Sequence, residues 1–388
     1  PERRVHLRLM AMDLCRGTCE KMVARWNRWI RKIEEANTRL DIKPLEWDQD
    51  AWSPRLQFDR ADIIQAPISD VVLHLRDQSV QVLDPLLAAD SSFNPRLYNE
   101  GIWSEGVVDG VRGAVPMGTI LPVLAMSRTV WERFGLGPIP AAWTWTECLE
   151  VLGRFQAETG CPGLQLTELE TLVCSCGFDP LTTPSDDQKR IAALLERILA
   201  TSNLATGAIS LSDIVAGRFG AVPMRTASIG KARVNFHDRL VFLPHPCESS
   251  GWLPRVTMGF FLPANVTAPI ECWQFIRHLL SLPVQRELAR SGHMYPVNKS
   301  AAAAILCAAD KDGGANFLGE TMARSRVPLL PYQQLEEAET QILAPELHAW
   351  HDGQESTDAM FLRIRMMLNL LRARAERLND DRSIEGSP

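Results

Sequence analysis

The sequence predicts an α/β protein whose chain opens on a parallel sheet. Three observations carry that prediction. The N-terminal region reads as strand, helix, strand and a further short strand leading into a helix. Amphipathic helices alternate with short apolar runs as far as the C-terminal quarter, which is mostly helical. A chain of 388 residues has room for two domains or one large two-lobed one, and buries a sizeable core without disulfides or metals.

In chain order, "RVHLRLMAM" alternates, with Val5, Leu7 and Leu9 on one face of a strand. In "CEKMVARWNRWIRKIEEAN", Met22, Val23, Trp26, Ile30 and Ile33 fall at helical spacing, opposite Arg25, Arg28, Arg31 and Lys32. "IKPLEW" predicts a second strand, and "ADIIQAP" a short apolar run ended by Pro67. In "PAAWTWTECLEVL", Thr144 stands three residues before Glu147 and ahead of Leu149 and Leu152, which is a capping box. Trp143 and Trp145 then start and staple a helix. "DDQKRIAALLERILA" predicts an amphipathic helix, and "RFGAVPM", "RLVFLPHP" and "VTMGFFLPANV" predict strands. Pro269 falls in the first turn of the helix "APIECWQFIRHLL", and Gly292 can end the helix "VQRELARSG". In "STDAMFLRIRMMLNLLRARAERL", Phe361, Ile364, Leu368 and Leu371 form one stripe of a long helix; the polar "NDDRSIEGSP" is expected to lie beyond it, unstructured.

A net charge of −6 argues against nucleic acid as a bulk electrostatic partner. The longest apolar stretch, "GAVPMGTILPVLAM", is broken by Pro116 and Pro122 and falls short of the about 20 residues a span needs. "PERRVHLRLMAM" does not read as a secretory signal, and leaves open whether one precedes it. Most of the nine cysteines stand singly in apolar stretches and read as small core residues, a usage that suits a reducing compartment. His348 and His351 form H-x-x-H without further ligands nearby in sequence. Hydrolase, zincin, P-loop and dinucleotide motifs are absent, so neither a catalytic set nor a cofactor is expected.

Three blocks in order resemble family 1 extracellular solute-binding proteins, the substrate-binding components of sugar ABC importers: "ADIIQAPISDVVLHLRDQSVQVLDPL", "VVDGVRGAVPMGTILPVLAMSRTVWERFGLGPIPAAWTWTECLEVLGRF" and "GFFLPANVTAPIECWQFIRHLLSLPVQRELARSGHMYPVNKSA". The resemblance implies a two-lobed periplasmic-binding-protein-like fold of type II. The lobes are discontinuous, about 1–120 with 258–326 and 121–257 with 327–388, joined by hinge strands. It further implies a monomer that closes on a small-molecule ligand, a saccharide above all, outside the cytoplasm, and docks on a membrane permease. Two departures stand out: the family's Y-N-K-D reads Met126, Ser127, Arg128, Thr129, and the chain has only three tyrosines. The same fold, with nine cysteines, also suits a cytosolic ligand-sensing domain of a regulator. A carbohydrate-active enzyme is the remaining alternative.

A saccharide needs aromatic faces for its C–H groups and planar polar side chains for its hydroxyls. Candidates are sought on loops that follow strands. Asp13 follows the first strand, as a ligand acceptor or as the cap of the next helix. Trp47, with Asp48 and Trp52, follows the second, facing ligand or core. The resemblance puts Gln65, Ser69 and Asp70 in a ligand-contacting loop, although Asp70 also suits a helix cap. It puts Gly118 and Thr119 at the cleft floor, where the chain crosses between lobes. Met224 and Arg225 stand where the family carries an aromatic, and Arg225 can grip a hydroxyl pair or a carboxylate, or make a salt bridge. Trp252 is the preferred ring-stacking residue, with interlobe packing as the alternative, and Tyr332 follows the last crossing.

Overall fold

The alternation in the N-terminal segment becomes β1 (Arg3–Ala11), the middle of a parallel trio with β2 (Thr38–Leu45) and β3 (Ile63–Pro67). The computed structural model describes residues 3–11, 38–45, 60–76, 78–179, 183, 185–203, 211–291, 294–307, 317–328 and 330–385. Leu7 and Leu9 point to one side of the sheet and Met10 to the other, while exposed Arg8 pairs with Asp62 at 3.0 Å. From Pro67 the chain turns straight into α1 (Ile68–Arg76). Two strands then follow with only Leu121 between them, β4 (Val115–Ile120) and β5 (Pro122–Ser127), and they belong to different sheets.

After β5 comes α2 (Trp145–Thr159). Thr144 and Glu147 close the capping box, and Gly160 ends the helix with φ 69°. Then follow β6 (Leu164–Gln165), α3 (Leu169–Ser175), α4 (Ser185–Ala200), β7 (Ser202–Asn203), β8 (Ala221–Arg225), α5 (Ile229–Phe236) and β9 (Leu240–Pro244). The chain returns through β10 (Leu253–Pro254) to β11 (Val256–Phe261), α6 (Pro269–Leu279), α7 (Leu282–Ser291) and β12 (Tyr295–Pro296). It ends in β13 (Ser325–Arg326), α8 (Tyr332–Ala338), a π-helical turn (Glu339–Leu343), α9 (Ala344–His351) and α10 (Thr357–Glu385). The helix therefore runs on through most of the polar segment expected to lie outside it.

The first sheet has strand order β12-β4-β11-β3-β1-β2 and the second β9-β5-β8-β6-β7. Each is mixed, parallel at one side and antiparallel at the other. Both are buried on both faces, so neighbouring residues go to opposite cores. In β3, Ile63 and Ile64 divide between two apolar clusters, and in β5 Leu124 and Ala125 do the same. α6 supplies Trp273, Phe275 and Ile276 to the first sheet, and α2, α4 and α10 pack on the second.

Three segments cross between the sheets. At the first, Thr226 donates its amide to the Leu121 carbonyl at 2.9 Å, and its hydroxyl accepts from the Leu121 amide at 3.1 Å. The second lies beside it, because Thr257 of β11 pairs with Thr119 of β4, their hydroxyls 3.2 Å apart. The third is β13, which pairs in parallel with β10. Arg255 ties the second crossing to the third and to the turn before β4: its guanidinium bonds the Ser325 carbonyl at 2.8 Å and Glu105 at 2.5 and 2.9 Å. Burial pushes the Glu105 carboxyl up, against the pull of Arg255.

Candidate functional site

Where β6 and β8 run parallel, their carboxyl ends bring two chain segments together. β8 ends on Arg225. Beyond β6, Glu168 takes φ 58° and ψ 59°, a left-handed conformation unusual for a residue with a Cβ, immediately before α3. That turn aims its carboxylate at Arg225, whose Nε lies 2.9 Å from Glu168 Oε2. The same guanidinium donates to the Pro254 carbonyl at 2.7 Å and to Thr171 Oγ1 at 3.2 Å. Thr171 in turn donates to Glu168 at 3.3 Å, closing a triangle. Both charged side chains are mostly buried, so the pair is held in a low dielectric and is not an ordinary surface bridge.

A second carboxylate approaches from the C-terminal region. Glu339 opens the π-helical turn, a distortion frequent at functional sites, and accepts from the Glu170 amide at 3.4 Å. Burial and the charge of Glu168 push Glu339 up to about 7, with Arg225 pulling the other way. At the ends of the same strands a cavity of about 490 Å³ is lined by Thr167, Pro223, Met224, Ser228, Lys231 and Asn235, among others, and by none of Glu168, Thr171, Arg225 and Glu339. Its size and mixed lining suit a small polar ligand.

The sequence-derived candidates scatter around this cluster. Gln65 does not lie in a loop: it is inside β3, fully buried, with its amide nitrogen 3.5 Å from Met117 Sδ. Ser69 and Asp70 are likewise helical, in the first turn of α1, because no loop intervenes after Pro67. Asp70 is buried there, an acid at a helix N-terminus. Gly118 sits mid-strand between β11 and β12, and a Cβ there would meet the Tyr295 carbonyl at 2.9 Å. Its glycine serves close backbone approach, not hinge freedom. Thr119 is buried against Thr257. Arg225 is in place, but Glu168 already occupies the carboxylate position expected of a ligand. Tyr332 opens α8, which lies against α1 and so near the helix of Ser69 and Asp70. Asp13 and Trp47 lie outside the described residues.

Trp252 is 4% exposed, within the apolar cluster of the second sheet; its amide donates to the Cys174 carbonyl at 3.1 Å, and its indole nitrogen has no hydrogen-bond partner. No open face remains for stacking, which favours its packing alternative. Trp143 and Trp145 are buried as helix-start residues: Trp143 donates to the Pro244 carbonyl at 2.7 Å, and Trp145 to Ser175 Oγ at 2.9 Å. Among the described residues, no group of three or more ligating side chains that could hold a metal comes together, His348 and His351 of α9 included. No helix among them is long and apolar enough to cross a membrane.

Sequence reasoning missed Glu168, Thr171 and Glu339. The only local signal was "LTELET", a polar loop directly after a strand. Their partners lie far off in sequence, Thr171 being 54 residues and Glu170 169 residues from the groups they meet.

Two sheets with discontinuous strands, three crossings and ligand-sized space at the strand ends define the two-lobed periplasmic-binding-protein fold of type II. The comparisons agree. An ABC substrate-binding protein from Listeria monocytogenes, solved in complex with cycloalternan, superposes with a TM-score of 0.73 at 10% identity, over 95% of this chain and 98% of that one. The GacH receptor of Streptomyces glaucescens, solved unliganded and with acarbose, gives 0.72 at 12%, over 96% and 99%. The sugar-binding protein MalE of Xanthomonas citri gives 0.72 at 14%, over 99% and 100%. No protein-family model matches the sequence, and no curated protein does.

Proposed function

We propose that this chain is a solute-binding protein that captures a carbohydrate between two lobes and delivers it, unaltered, to a membrane permease. The lobes are about 1–120 with 258–326 and 121–257 with 327–388. The carrying observation is the end-to-end fold likeness to proteins solved with cycloalternan and acarbose. The Arg225–Thr171–Glu168 triangle supports it, since it offers planar polar groups at strand ends, where hydroxyls are best gripped. Ser69, Asp70, Tyr332, Asp13 and Trp47 remain candidates on sequence grounds. Glu168 and Glu339 crowd Arg225 with negative charge, so the site favours a neutral saccharide over a uronic one.

A thermal-shift screen against neutral and uronic saccharides tests the reading. A ligand at 100 times its Kd adds about 2.7 kcal/mol, and Arg225→Met abolishes the shift. If no saccharide moves the melting point, the carbohydrate assignment fails; if a bound oligosaccharide comes back cleaved, the binding-only role fails.

A second reading draws on the cysteines. Six of the nine, Cys148, Cys161, Cys174, Cys176, Cys247 and Cys272, are free thiols in the structure, and all but Cys161 are buried. That suits a reducing compartment and a cytosolic ligand-sensing domain of the same fold. Fractionation of cells expressing the full gene separates the two readings: an extracytoplasmic protein is a transporter component, a cytosolic one a sensor.

A further inference from the structure

α10 buries one stripe, Phe361, Ile364, Leu368 and Leu371, in the second core. A second apolar ridge lies on its solvent side: Leu362, Met366 and Leu370 are 57%, 55% and 60% exposed. Ten large apolar side chains are exposed among the described residues, and these three are consecutive at four-residue spacing on one helix. Single exposed apolar residues need no explanation; a contiguous row does. The row is extended at both ends by exposed residues of opposite charge, Asp358 one turn before and Arg374 one turn after. It therefore reads acid, Leu, Met, Leu, base.

That order is self-complementary when reversed. We infer that α10 is the contact between two copies of this chain, paired antiparallel about a two-fold axis at Met366. Leu362 then meets the other copy's Leu370, Met366 meets its own equivalent, and Asp358 meets Arg374, at both ends at once. This is the isologous contact a closed dimer requires. Contact over this length requires the two helices to cross at a small angle, about 20°, the class of helix packing found in bundles. Beside the ridge, a groove of about 220 Å³ between the π-helical turn and α10 is lined by Ile342, Met367, Leu370, Leu371 and Arg374, among others. In this pairing it lies where Leu362 of the second copy arrives. Arg374 bonds Glu337 at 3.3 Å within its own chain, an exposed pair of little worth that can exchange partners. The pairing departs from the monomer that the family resemblance implies, and its contact lies on the outer face of α10.

Sedimentation equilibrium of the full chain across a dilution series tests this, with circular dichroism checking each variant's fold. The wild type is expected to be a dimer. Met366→Glu is expected to weaken it by roughly a hundredfold, since each dimer would bury two unpaired carboxylates. Asp358→Arg alone weakens it, and adding Arg374→Asp restores it. Leu362→Cys and Leu370→Cys cross-link when the two variants are mixed, and neither does so alone. A chain that stays monomeric, a dimer indifferent to Met366→Glu, or a monomer that uses this ridge to bind anionic vesicles would each overturn the proposal.

Discussion

Two arginine–glutamate pairs, both largely buried, sit near one another in chain order and differ in what surrounds them. Arg255 and Glu105 stand as one base and one acid, and the guanidinium also bonds the Ser325 carbonyl at the third crossing and the Gly101 carbonyl in the helical turn before Glu105. Arg225 and Glu168 have company: Glu339 approaches them, and burial first and the charge of Glu168 second push it up to about 7. The first pair is balanced, and its arginine links the second crossing to the third. The second carries a surplus of acid and a strained Glu168 backbone, both costs that packing alone does not require. The balanced pair sits between chain crossings; the unbalanced one is the site proposed for the ligand.

The largest expected effect breaks the joint. Arg255→Ala leaves Glu105 buried and unpaired, and should cost about 3–5 kcal/mol in chemical denaturation. Next comes the pH response of the unbalanced pair. Glu339 has a folded value of about 7 against 4.5 unfolded, so the folded state binds the extra proton between those values. Stability is then fully present below about 4.5 and falls as pH rises towards 7, by about 3 kcal/mol. Glu339→Gln should flatten that slope in melts recorded from pH 4.5 to 7.5; an unchanged slope would remove Glu339 from the comparison. Gly118→Ala probes the joint without touching charge, and forcing a methyl against the Tyr295 carbonyl should cost about 1–3 kcal/mol. The smallest effect lies outside both pairs: Thr144→Ala removes the cap of α2 for about 1 kcal/mol, with saccharide affinity unmoved.

How much could be read in advance followed distance along the chain. The alternation of Leu7 and Leu9, the Thr144–Glu147 cap and the inner stripe of α10 are local patterns, and each fell in its expected place. The end of α10 was missed because a lone Ile384 is the sole apolar residue after Leu378, too little to extend the stripe. Gln65 was misplaced because a strand ending in proline resembles a loop, and only its pairing with Phe260 distinguishes the two. The site itself was the least legible. Arg225 could be singled out as an unexpected base, but Glu168, Thr171 and Glu339 become visible only once β6 and β8 lie side by side. Tryptophan counting misled for a related reason: Trp252 carries a polar nitrogen that suggests a ligand, yet its ring fills a core.

The double bond between Thr226 and Leu121 carries a consequence for motion. It fastens the first residue past β4 to the second sheet through both its amide and its carbonyl. Leu121 must therefore travel with that sheet, and any swivel between the halves has to be taken up on the other side of it, in the torsions of Thr119 and Ile120 and their partners Thr257 and Val256. The pivot is a short length of paired ribbon rather than a loose tether, which makes the swing a twist about one line and leaves little freedom for sliding.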